Sequence, residues 1–398
     1  MYRFFLSFCC MLLSLLTPMV AVAADNPILS ITASKKTIGL TVGNKFPVTI
    51  MANYEDGRAE DITHRVKWVS SNPRVATSDK GVIVGHQIGN AEIKSIFQYN
   101  KVKFNVSISV NVHANVTIKF VDPGLEAGVR QQIGKPSGVI KSKDVDMLES
   151  LDLSKRNIRN LSGIGALVNL ESLTLQDNHI ENLKDLMKFK ELEYLDLSSN
   201  IIEDISPLAS LTELKTLNVS DNFVVDLSPL SGLTQLEVLD MANNDIEDLT
   251  PLGSLKKLES LQLQENRIAD LSPLAQLKGL RDLVLINNGF QDITPLSSLP
   301  SLRLLNLSLN EIDDFTPLIK SKSLDTLVLN WMSIKDIRFL NELPDLRELY
   351  LIGNQIEDIS PLIKMEKLTW INLSGNPLEN EKDKLQNLQD KGIEMIYP

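Results

Sequence analysis

A chain of 398 residues with 43% hydrophobic content is long enough for two or more units with cores of their own, and its net charge of -11 excludes a nucleic-acid polyanion as partner. Its cysteines, Cys9 and Cys10, both fall in the first ten residues. Once that stretch is removed, disulfides, thiolate nucleophiles and cysteine metal sites are excluded.

The first 24 residues read as a signal peptide. Arg3 precedes an apolar run over 4–16, a proline follows, and "AVAAD" supplies small residues for cleavage after Ala23 or Ala24. The run is too short to stay in a bilayer, and no second one follows. The mature chain is expected to be exported, whether secreted, at the cell surface or periplasmic, with no integral membrane span.

Residues 25–114 alternate β-rich runs with turn signals: "ILSITAS", "KFPVTIMANY", "VKWVSS", "GVIVGH", "AEIKSIF" and "KFNVSISVNV". This spacing predicts an all-β sandwich of about seven strands. The stretch "DGRAEDITHRVKWVSSNPRVATSDKGVIVGHQIGNAEI" resembles the bacterial Ig-like domain of group 2, over nearly all of 28–112. The resemblance implies a spacer and presentation module with Trp68 as its core tryptophan.

Residues 115–147 carry a helical apolar pattern, "IKFVDPGLEAGVRQQIGKPSGVIKSKDVDML", placed as a cap on the repeats that begin at Leu148. Leucines at 148, 170, 192 and onward to 368 stand 22 residues apart, giving ten full units and a partial one over 148–375. Residues 376–398 form the closing cap.

Counting each unit from its leucine, apolar residues recur at positions 1, 4, 6, 11, 14 and 17, and asparagine holds position 9 in nine of eleven units. The pattern predicts a capped, curved leucine-rich repeat solenoid with a parallel concave sheet. Positions 4 and 6, such as Leu195 and Leu197, point inward, while 3, 5 and 7 face out. The position-9 amide satisfies backbone groups in the turn of each coil. "DISPL" and its kin recur seven times, and Ser or Thr before Pro signals a short 3₁₀ turn. Position-locked acids such as Asp204 and Asp226 therefore read as scaffold.

The motifs "F.D..L...V...GK", "LSGIGAL.NLESL" and "N.I.D.SPL" are similar to the internalin-like class of bacterial 22-residue repeats, over 118–398. The chain departs from that class in placing its Ig-like domain before the repeats.

Enzyme chemistry is not expected, and neither is a cofactor or metal. His64, His86, His113 and His179 show no ligand spacing. "GVRQQIGK" fails as a phosphate loop, with five residues between Gly128 and Gly134 and proline at 136. Asp152, Asp196 and Asp240 share an outward column two repeats apart, where an open sheet is expected to shift their acidity little.

The outward columns change character along the solenoid. In the first six units they hold Asp152, Thr174, Asp196, Asn218, Asp240 and Gln262, a wet and acidic surface. In the last five, positions 3, 5, 7 and 8 bring in Val284, Ile286, Leu304, Leu309, Val328, Trp331, Tyr350, Ile352 and Trp370. Met332 also breaks the asparagine column beside Trp331. Contiguous outward apolar and aromatic residues point to a contact surface, so these nine form the candidate binding site for a protein or peptide ligand. An envelope structural scaffold that self-associates through the same face, as a homodimer, is the alternative.

Overall fold

A computed structural model of the protein describes residues 26–397; the expected signal peptide lies outside them. The N-terminal region is all-β, with ten strands in three sheets where about seven strands were expected. One sheet joins β1 (Ile28–Ala33), β4 (Ile50–Tyr54) and β5 (Ala59–Asp61). The second has the order β2 (Thr37–Thr41), β10 (Val102–His113), β9 (Gly89–Tyr99) and β6 (Lys67–Ser70). The third joins β3 (Lys45–Pro47), β8 (Val82–Gly85) and β7 (Ala76–Asp79).

The run expected as one strand, "KFPVTIMANY", divides at Pro47. Proline cannot donate to a ladder, so β3 ends there and β4 begins in a different sheet. Trp68 is also not the centre of the core. It lies on β6, the outer strand of its sheet, and is half-buried against a core formed by Phe46, Ile50, Ile83, Ile93 and Ile108.

A short cap leads into the repeats through α1 (Pro123–Gln132) and the single turn α2 (Ser142–Val145). Asp122 starts α1 by accepting the Gly124 N–H at 2.8 Å, and its other oxygen accepts the Arg159 N–H at 2.8 Å, tying the helix to the first repeat.

Each repeat then contributes a strand at positions 3–5, from β11 (Ser150–Asp152) to β21 (Trp370–Asn372), all parallel and in register. The leucine ladders inside the coil form one continuous buried core. On the far side a 3₁₀ turn such as Ser206–Ser210 closes each coil, and the aspartate two residues before it does the capping. Asp204 accepts the Ser206 N–H at 2.8 Å, and the same bond recurs at Asp226, Asp248 and Asp270. The closing cap supplies α3 (Lys382–Asp390), which buries Leu385 and Leu388, and β22 (Glu394–Ile396), a twelfth strand that the repeat pattern does not announce.

The strand β2, unmarked in the sequence, joins sandwich to solenoid. Gly39 on β2 approaches Val168 so closely that a Cβ would stand 2.2 Å from a Val168 methyl. Its N–H donates to Asn169 Oδ1 at 2.8 Å, and Asn169 Nδ2 returns a bond to the Gly39 carbonyl at 2.7 Å. Beside them Asp146, 2% exposed, accepts the Thr41 N–H at 2.8 Å, the Thr41 hydroxyl at 3.0 Å and Asn44 Nδ2 at 2.7 Å. Lys35 pairs with Glu149 at 2.8 Å and Glu171 at 2.6 Å.

A buried carboxylate with this many donors locks two bodies together, because removing it strands the donors. Asp146→Ala is expected to cost about 2–4 kcal/mol and to split a single calorimetric unfolding transition into two. One unshifted transition would show that the junction does not depend on Asp146.

Candidate ligand-binding face

The concave sheet is positioned by the asparagine column. In a regular unit Asn222 Nδ2 donates to the carbonyls of Leu197 at 3.0 Å, Val219 at 3.1 Å and Ser220 at 3.0 Å, while its Oδ1 accepts the Ile202 N–H at 2.9 Å. One side chain therefore holds the turn of its own coil and fastens it to the preceding coil. The column repeats these bonds at Asn178, Asn200, Asn244 and Asn354. Position 8, just before it, takes the left-handed conformation in every unit, from Lys155 at φ 57° to Gly375 at φ 73°.

In the first six units the outward acids are tied down locally. Asp152 accepts the Ser154 hydroxyl at 2.6 Å and its N–H at 2.9 Å, and Asp196 does the same with Ser198. The hydroxyl and amide of Ser154 hold the Asp152 carboxyl below its ordinary range. Asp240 faces Ala242 and keeps only the amide bond, at 3.0 Å. Burial raises its pKa, and the charges of Asp221 and Asp196 add to that. The open sheet thus does not leave these acidities near their ordinary values: the partner two residues on and local burial shift them in opposite directions, with neighbouring charges adding at Asp240.

In the last five units the structure puts all nine predicted residues at the surface of the concave side or its rim. Val284, Ile286, Leu304, Val328, Tyr350, Ile352 and Trp370 are half-buried, and Leu309 and Trp331 are exposed at 48% and 60%. Tyr350 and Trp370 lie on neighbouring strands with ring centroids 4.3 Å apart and planes tilted by 36°, a contact favourable to aromatic pairs. Burial and the nearby Glu348 push the Tyr350 hydroxyl above its ordinary range. The nine lie on five successive coils. Four strand spacings, roughly 19 Å at ~4.8 Å each, separate Val284 from the row of Trp370.

Trp331 and Leu309 stand apart because position 8 is left-handed: φ is 58° at Trp331 and 61° at Leu309, unusual for bulky side chains. The Trp331 indole lies across the next repeat at Gly353, where a Cβ would sit 2.2 Å from its Cε3. Glycine there also meets φ +66° without strain. Gly353→Ala is expected to cost about 1–3 kcal/mol and to swing the indole away, altering the near-UV circular dichroism. An unchanged spectrum would mean that the indole does not depend on this seat.

The break at Met332 has a local consequence. Met332 is buried but has no amide to offer, and among the described residues the Ile312 N–H, its counterpart in the preceding coil, finds no acceptor. Ser333 turns left-handed at φ 57°, as Asn157 does at φ 56° after Arg156, the other unit lacking the asparagine. A cleft of about 480 Å³ opens there, with Leu309, Ile312, Trp331 and Met332 among its walls. Glu311 and Asp313 also line it; in the sequence Asp313 shows only as one of the paired acids Asp313 and Asp314 of an exposed turn, and for Glu311 its place beside the broken column is the available signal.

The fold matches known proteins. A leucine-rich repeat family model matches residues 190–232, 234–276 and 322–364, and a second matches 298–314. An internalin (inlF) from Listeria monocytogenes superposes with a TM-score of 0.61 at 30% identity, covering 69% of this chain and 88% of that one. The chain belongs to the internalin-like leucine-rich repeat proteins. An internalin C2 from the same organism is similar to this internalin-like chain at 34% identity and a TM-score of 0.52, covering 53% of it and 94% of its own length. A leucine-rich repeat protein of Leptospira interrogans is similar at 25% identity and a TM-score of 0.56, with 64% and 73% of the two chains covered. No curated protein matches the internalin-like chain. Among its described residues no helix is long and apolar enough to cross a membrane.

Proposed function

We propose that this internalin-like chain is an exported, non-enzymatic recognition protein that binds a protein or peptide ligand through the apolar and aromatic half of its concave face. The observation that carries the reading is the surface itself. Tyr350 and Trp370 pack ring against ring on a parallel sheet and Trp331 stands exposed on the preceding coil, while the inward positions of those coils are already filled by leucine and isoleucine. The coil needs none of these rings outside. Aromatic residues on a preordered surface lose little entropy on binding and gain much from desolvation. The locked junction through Asp146 suits a sandwich that orients the solenoid.

Affinity capture from cell-envelope and host-cell extracts tests the reading, comparing the natural chain with a Trp331→Ala, Tyr350→Ala, Trp370→Ala variant. A ligand held by the first and lost by the second supports it. Equal capture by both would end it, and a concentration-dependent dimer lost in the variant would replace the ligand with a second copy.

A further inference from the structure

The cleft beside Trp331 has a chemistry of its own. Its lining is mixed: Leu309 and the Trp331 indole, over the buried Ile312 and Met332, form an apolar side, the amides of Asn287 and Gln291 a polar one, and Glu311 and Asp313 border it with exposed carboxylates. Among the described residues neither carboxylate is in an ion pair, and Lys335, next to Asp313 in the following repeat, is not paired with it either. Asp314, by contrast, is committed to capping through the Thr316 N–H at 2.8 Å. A purely apolar visitor would leave two charges without a partner, and an acidic one would be repelled. A long basic side chain meets both demands, its stem against the apolar wall and its charge between an indole face and two carboxylates.

Resting on the proposed ligand-binding role of this half of the solenoid, we propose that the cleft is a subsite for an arginine or lysine side chain of the protein ligand. The broken asparagine column is part of the device. Met332 brings apolar surface where other coils carry an amide, and the left-handed residues on either side, Trp331 and Ser333, set the indole and the loop apart. Gly353 keeps the indole down and one face of the cleft open.

Peptide titration of the full chain tests this, with acetyl-Gly-Arg-Gly-amide, its lysine counterpart and its citrulline counterpart as probes. The indole N–H resonance of Trp331 is identified by its loss in Trp331→Phe. Both basic peptides are expected to shift that resonance saturably, with citrulline about ten-fold weaker, and Glu311→Gln with Asp313→Asn to weaken the basic peptides by about the same factor. Citrulline binding as well as arginine, no shift with any peptide, or no effect of neutralising the two acids would each overturn the subsite. Tyr350→Ala with Trp370→Ala leaves the cleft intact, so it keeps the peptide response whether or not it captures ligand, and failure of one reading is separable from failure of the other.

Discussion

Removing the rings of Trp331, Tyr350 and Trp370 together is expected to weaken ligand binding by on the order of 100-fold or more while leaving the unfolding midpoint nearly unchanged. The two halves of that expectation have different origins. Binding falls because the paired rings and the exposed indole are aromatic surfaces that the face offers for desolvation. Stability holds because these side chains lie outside the coil, whose core is the leucine ladder. Surface plasmon resonance against the captured ligand, with circular dichroism melts of each variant, checks both. Among single substitutions, those of Tyr350 and Trp370 should not be additive, since removing either ring strips the other of its neighbour. Loss of binding accompanied by a large drop in midpoint would assign the rings to folding.

The opposite pattern is expected at Asn222→Ala. Its amide makes four hydrogen bonds in a buried turn, so alanine leaves the Ile202 N–H without its acceptor and takes one of two donors from the carbonyls of Leu197, Val219 and Ser220, which keep Asn200, Asn244 and the Ser199 N–H. At about 1–3 kcal/mol for the one buried group left unsatisfied, with a smaller loss from the three weakened carbonyls, the cost is about 2–3 kcal/mol. Stability in a stacked array is close to a sum over repeats and their neighbours, so the damage should be concentrated in the coils beside residue 222. Urea unfolding followed by hydrogen exchange checks it, with lost protection expected in the repeats holding Leu197 and Val219. A change below about 1 kcal/mol would show that the turn does not rely on the column, and Met332 would then be no exception worth explaining.

Much of this is legible in the chain. An uninterrupted 22-residue period names the fold, assigns the leucines of positions 1, 4 and 6 to the inside and sends Val284, Val328, Tyr350 and Trp370 outward, since a strand alternates its faces and successive coils stack in register. The features that are not legible share one property: they depend on contacts that do not repeat. The strand β2 carries Gly39 and lacks a strong alternating pattern, so "TIGLT" does not stand out, yet it forms the junction to residues more than a hundred positions away. The strand β22 comes after a helix and lacks the repeat's leucine spacing, so the period gives no sign of a twelfth strand.

The sequence by itself therefore determined the solenoid, its inward and outward columns and the change from an acidic to an aromatic surface, because nearest-neighbour stacking turns a period directly into geometry. Only the tertiary structure decided that Tyr350 touches Trp370, that Trp331 adopts a left-handed backbone and lies across Gly353, that Met332 opens a cleft bordered by Glu311 and Asp313, and that Asp146 and Asn169 lock the sandwich in place. Each of these depends on two or more non-equivalent residues meeting across coils or domains, and the free energy of such a meeting resides in its particular shapes and hydrogen bonds, which no periodic pattern encodes.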